Sequence, residues 1–204
     1  RTGEKIEQSA VDFDRLAEAI QPGDAQQIAQ PIDWIGINYY FDILVRGLSK
    51  DANRPMLAYP TVENATEAEQ RSEHTDMGWP ITPEGFTELL VRLRDDYPNL
   101  PPIYITENGC AYDDPVVGGR CADLRRIDYL DLHLRALKDA IDAGVDVRGY
   151  YQWSLMDNFE WALGYDKRFG LVHVDFDTLE RTPRDSAHWF REVILRNGLA
   201  AVER

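Results

Sequence analysis

Three short runs rich in β-branched and aromatic residues, Ile32 to Tyr40, Ile103 to Thr106 and Val147 to Trp153, are separated by stretches of helical periodicity. This alternation constrains the fold most, because strand-helix-strand succession requires parallel pairing with the helix carrying the chain back. The first run is nearly continuous in apolar and aromatic residues, which suits a parallel strand covered on both faces. One helix is predicted to open at Thr82-Pro83-Glu84, bury Phe86, Leu89, Leu90 and Leu93, and end at Tyr97-Pro98. A second, capped by Asp123, places Ile127, Leu130, Leu134, Leu137 and Ile141 on one face and stops at Gly144. A last helix starts at Thr182-Pro183 and buries Trp189, Phe190, Val193 and Ile194 before Asn197-Gly198. Upstream, Phe13, Leu16, Ala17 and Ile20 mark a helix broken by Pro22-Gly23, and Asp24 is positioned to cap a short one running toward Pro31. Phe41 to Pro80 reads as a long loop, Leu155 to Phe169 as an irregular aromatic segment, and Leu171 to Val174 as extended.

The strand ends carry the chemistry. Ile103 to Gly109 reads I-Y-I-T-E-N-G, an apolar run that stops on Glu107 and the turn-forming pair Asn108-Gly109. Alone, such a glutamate is more often a charged residue leaving the core. The other two runs also end in polar and aromatic clusters, however, and an alternating β/α architecture gathers those ends on the one rim where α/β barrels place their active sites.

A chain of 204 residues with 44% hydrophobic and 11% aromatic content can bury a sizeable core, and one compact unit is the default. Its formal charge of -14 opposes binding to nucleic acid or an anionic membrane and favours a neutral or cationic ligand. Its apolar runs are too short for a membrane span and its first residues lack a secretory signal's apolar core, so a cytoplasmic protein is expected. Cys110 and Cys121 are too few for a disulfide framework; free thiols are expected, with a loop-closing bridge as the alternative. No ligand spacing supports a metal, and no cofactor is called for. His133, on the long helix, reads as structural.

Four segments, W-I-G-I-N-Y-Y (Trp34 to Tyr40), T-D-M-G-W-P-I-T-P-E-G (Thr75 to Gly85), Y-I-T-E-N-G (Tyr104 to Gly109) and G-Y-Y-Q-W-S-L-M-D-N-F-E-W-A-L-G-Y-D-K-R-F-G-L (Gly149 to Leu171), closely resemble glycoside hydrolase family 1, the β-glucosidase and β-galactosidase family. They occur in the family's order and spacing. The resemblance runs from about residue 24 to the C-terminus and leaves residues 1 to 23 unplaced. It implies an α/β fold, the C-terminal part of a (β/α)8 TIM barrel comprising about strands six to eight with their helices. Residues 1 to 204 would then be a portion of a single catalytic barrel, since a complete one needs at least about 200 residues and typically ~250. The family's acid/base glutamate lies in an N-E-P motif that this sequence lacks.

The resemblance also implies roles. Retaining cleavage uses one carboxylate to attack the anomeric carbon and another carboxyl, ~5 to 5.5 Å away, to protonate the leaving oxygen. Glu107 corresponds to the nucleophile, Tyr40 to the tyrosine whose hydroxyl contacts it, and Asn38 to a neighbour on the same strand. Glu160 and Trp161 correspond to the pair that reads the sugar's distal hydroxyls, Trp153 to the ring beneath the sugar, and Phe169 to a residue near the primary hydroxyl. Family members that take 6-phosphorylated sugars replace this glutamate with a smaller neutral residue, so Glu160 implies an unphosphorylated glycone. The implied partners are a small-molecule β-glycoside and either the missing N-terminal half of the barrel or a second copy. A non-catalytic carbohydrate-binding fragment is the alternative. A nucleotide-binding domain has little support, because G-x-G-x-x-G and a phosphate-loop lysine are both absent.

Overall fold

The computed structural model describes residues 18–42, 46–47, 57–58 and 73–200. The chain divides into two compact units, Arg1–Asp33 and Trp34–Arg204. In the first, helix α1 (Asp24–Ile28) begins one residue earlier than a cap at Asp24 would have it. Gly23 occupies the cap position with φ of 100°, a left-handed conformation that glycine adopts without steric cost. The helical pattern over Phe13 to Ala17 lies outside the described residues.

The second unit is built on three parallel strands, β1 (Ile35–Asn38), β4 (Ile103–Asn108) and β7 (Val147–Gln152), in the order β1-β4-β7. Between β1 and β4 lies a small antiparallel pair, β2 (Arg46–Gly47) with β3 (Leu57–Ala58), inside the segment read as loop. The first strand is shorter than the run Ile32 to Tyr40: its residues pair in register with β4 from Ile35 to Asn38, and a last backbone bond follows from the Tyr39 N–H to the Glu107 carbonyl. One face of the sheet packs on helices α2 (Pro83–Asp96) and α3 (Leu124–Asp142). Ile103 and Ile105 from β4 meet Phe86 and Leu90 of α2 and Ala136, Leu137 and Ala140 of α3 there, with Tyr39 at the end of β1. Leu89 on α2 and Ile141 on α3 are exposed, contrary to the periodic pattern: Phe86 and Leu90 make the buried contact of α2, and the buried stripe of α3 ends at Ala140.

A hairpin of β5 (Val116–Val117) and β6 (Arg120–Cys121) precedes α3 and turns through Gly118 and Gly119, both at positive φ. Cys110 and Cys121 are buried free thiols. After β7 comes a short 3-10 turn (Trp161–Leu163), then β8 (Val172–Val174) pairs antiparallel with β9 (Arg181–Pro183). Thr182-Pro183 therefore belongs to a strand, and helix α4 (Asp185–Arg196) starts later than its Thr-Pro signature suggested. Trp189 and Phe190 of α4 pack on a second core of Cys110, Tyr112, Tyr129, Leu130 and Leu171, whereas Ile194 is exposed.

The opposite face of the sheet is open. Trp34 and Tyr151 are 52% and 59% exposed there, and with Tyr104, Thr106, Trp153 and Leu155 they line a groove of about 640 Å³. Gly149 on this face keeps the ring of Tyr104 flat against β7: a Cβ at that position would come within 2.5 Å of the ring.

Candidate active site

Along β4, Ile103 and Ile105 point into the helix-covered core and Tyr104 and Thr106 are half-buried. Strict alternation would send Glu107 into the apolar core. The ladder instead slips beyond Ile105 on the β7 side and beyond Ile37 on the β1 side, so that Glu107 aligns with Asn38 and stays half-buried, while Asn108 becomes fully buried. Such an irregularity re-aims a side chain at the end of a strand. It also corrects the reading of Asn108 as a turn residue: Asn108 is the last residue of β4. Gly109 follows directly beneath the Trp153 carbonyl, too close for any Cβ.

Tyr40, just past the end of β1, donates its hydroxyl proton to Glu107 Oε2 at 2.7 Å. Burial, then the hydrogen bond to Glu107 and the negative charges of Glu107 and Glu160, all raise the Tyr40 phenol above its ordinary range, so it stays a donor. Trp79 and Phe169 flank it, with ring centroids 5.2 Å and 6.4 Å from that of Tyr40. Trp79 lies in the quoted segment Thr75 to Gly85, but its role at the site was not read from the sequence; its Gly-Trp-Pro setting looks like an ordinary turn.

Glu160 lies close enough to be perturbed by Glu107. Burial raises its carboxyl above the usual range and the Glu107 charge adds to this, while the neighbouring Trp153 side chain pulls the other way. Two acids, a phenol and three aromatic rings thus share the ends of β1, β4 and β7. Asn38 stands apart in its bonding: its Oδ1 accepts from Thr106 Oγ1 at 2.6 Å. Trp161 is 83% exposed, in a left-handed conformation with φ of 43°.

Two buried ion pairs fix the loops that carry these groups. Arg126, wholly buried at the start of α3, pairs with Asp123 at 2.9 Å and donates to the carbonyls of Cys110, Tyr112, Arg168 and Phe169. It therefore ties the loop after Glu107 to the one that ends at Phe169. Asp123 sits at the cap position without capping; its carboxylate accepts from Ser186 N–H and Oγ–H and so holds α4. Asp157, three residues before Glu160, accepts from both terminal nitrogens of Arg184 at 3.0 Å and from the backbone N–H of Gly170 and Val174.

The profile of glycosyl hydrolase family 1 matches residues 4–199. The chain belongs to this family. Among curated relatives it is 47% identical over 186 residues to a bifunctional β-D-glucosidase/β-D-fucosidase of Bifidobacterium breve, covering 84% of this chain and 39% of the relative. It is 44% identical over 177 residues to a 1,4-β-D-glucan glucohydrolase of Thermotoga neapolitana, covering 86% and 37%. A family 1 β-glucosidase from Thermotoga maritima superimposes with a TM-score of 0.78 at 42% identity, over 87% of this chain and 38% of that one. The same enzyme in complex with deoxynojirimycin gives 0.76 at 43% identity. The chain thus spans about two-fifths of the length of these family 1 relatives.

A carboxylate on a rigid strand end with a phenol donor at hydrogen-bond distance can attack an electrophilic carbon. A second carboxylate nearby can accept hydrogen bonds from sugar hydroxyls.

Proposed function

We propose that the full-length protein containing this chain is a retaining β-glycosidase acting on terminal, unphosphorylated β-D-glycosides, with Glu107 as its nucleophile. The observation that carries this reading is the 2.7 Å hydrogen bond from Tyr40 to Glu107 at the end of a parallel strand, within a chain whose relatives are β-glucosidases. In this reading Tyr40 steadies the attacking oxygen as the carboxylate bonds to the anomeric carbon. Glu160 accepts from glycone hydroxyls, Trp153 lies under the sugar, and Asn38, Trp161 and Phe169 complete the pocket. The acid that protonates the leaving oxygen comes from the part of the barrel outside this sequence, which also covers the open face bearing Trp34 and Tyr151. Binding of a sugar-like amine in a relative's structure agrees with a pocket for small glycosides.

A second reading applies to the chain by itself: sugar binding without cleavage, favoured by its covering only 39% of the Bifidobacterium breve relative. The nucleophile assignment of the first reading is tested on the full-length protein. Glu107→Gly should lower kcat on an aryl β-glucoside by at least about 10³-fold, and added azide should restore turnover with a glycosyl azide of inverted configuration as the product. A Glu107→Gly protein that keeps its hydrolytic rate would remove the assignment.

A further inference from the structure

Asn108 follows Glu107 directly and has no exposed surface, yet it carries an amide that needs partners. All of its partners come from other elements. Its Oδ1 accepts from Tyr150 Oη of β7 at 2.7 Å, and its Nδ2 donates to the Tyr39 carbonyl at 2.8 Å and to Tyr129 Oη of α3 at 3.2 Å. Tyr129 Oη in turn donates to the Tyr40 carbonyl at 3.2 Å. Finally, the Tyr39 N–H donates to the Glu107 carbonyl at 2.9 Å.

Tyr39 and Tyr40 lie beyond the last residue of β1, where the Tyr39 N–H makes the final backbone bond to β4. The backbone acceptors of this side-chain network are the two carbonyls at that point, those of Tyr39 and Tyr40. We propose that Asn108, Tyr129 and Tyr150 are positioning residues, which fix the backbone of Tyr40 so that its hydroxyl stays on Glu107. The inference rests on the glycosidase reading above and assigns to it three side chains that do not touch the sugar.

Phenylalanine at 129 or 150 would fill nearly the same volume, so the hydroxyls are needed for the amide and the carbonyls rather than for packing. Burial raises both phenols above their ordinary range, which keeps each of them a neutral donor. Asn108 bridges the two, and its amide matches one acceptor and one donor hydroxyl in a way that a carboxylate or an aliphatic side chain cannot.

The test is a double-mutant cycle on the full-length protein with 4-nitrophenyl β-glucoside. Tyr129→Phe alone should lower kcat/KM about tenfold, mainly through kcat, because the lost alignment matters most in the transition state. In a Tyr40→Phe background the same change should cost less than about twofold, since the group being positioned is already gone. Tyr150→Phe, which acts through Asn108, should show the same dependence on Tyr40 and serves if Tyr129→Phe does not fold. Losses that multiply, with Tyr129→Phe and Tyr150→Phe as damaging without the Tyr40 hydroxyl as with it, would overturn the inference while leaving the glycosidase reading intact. A folded parent protein without activity on any aryl β-glycoside would overturn that reading, and this inference with it.

Discussion

Burial moves the tyrosine and the histidine that stack on α3 in opposite directions for one reason: with water gone, each loses the solvation of its charged form. Tyr129 is raised, and His133, whose ring centroid lies 3.9 Å away, is lowered from 6.5 to about 4. His133 Nδ1–H donates to the Tyr129 carbonyl, which fixes the tautomer and leaves Nε2 buried without a partner among the described residues. Because the unfolded chain binds a proton near 6.5 and the folded one only near 4, stability from this residue is complete above 6.5 and is lost as pH falls toward 4. At about 1.4 kcal/mol per tenfold, the loss amounts to at most about 3 kcal/mol. Urea unfolding of the wild type and of His133→Phe should therefore show a stability difference that shifts in the variant's favour between pH 7 and pH 4. A difference independent of pH would mean that His133 binds its proton equally well in the folded and unfolded chain.

The loops at the site are held by buried charge at the level of elements. Arg184 and Asp157 are both wholly buried, and the guanidinium joins the start of α4 to the segment that leads to Glu160. Arg184→Met should destabilise the protein by about 3 kcal/mol, because Asp157 keeps its two amide donors and Arg168 but loses its main counter-charge. Adding Asp157→Leu should not recover that loss, since it leaves the buried N–H groups of Gly170 and Val174 and the Arg168 guanidinium without their acceptor. Chemical denaturation measures both; a single variant within about 0.5 kcal/mol of wild type would show that the pair contributes little. The middles of α2 and α3 were legible in the sequence because Phe86, Leu90, Leu130 and Leu137 follow helical spacing, Leu130 into the second core and the others into the first. The edges of the buried stripes were not, because periodicity marks a face without showing how much of it a neighbour covers, and Leu89, Ile141 and, on α4, Ile194 are exposed. Thr182-Pro183 resembles a helix start locally, but pairing with His173 and Val172 makes it a strand. At the site, the contact between Tyr40 and Glu107 was legible from their motifs. Trp79 and Tyr129 were not, since the Tyr129 bond to Tyr40 spans 89 residues of sequence.

For the molecule as a whole, the three-stranded sheet has a helix-covered face and an open one. The open face carries Trp34 and Tyr151, and the chain matches only about two-fifths of its relatives' length. Among the described residues this parallel sheet has two free edges and an aromatic face, and such a sheet needs cover. In our reading the rest of a family 1 barrel provides it and supplies the missing acid, so chemistry belongs to the assembled protein. The central claim is that Glu107 makes the covalent bond to the sugar in that assembly. It is tested most directly by incubating the full-length protein, and separately the 204-residue chain, with a 2-deoxy-2-fluoro β-glucoside bearing a good leaving group and mapping the labelled peptide by mass spectrometry. The account predicts one fluorosugar on Glu107 of the full-length protein and little on the isolated chain; a label on any other carboxylate of the full-length protein would contradict it.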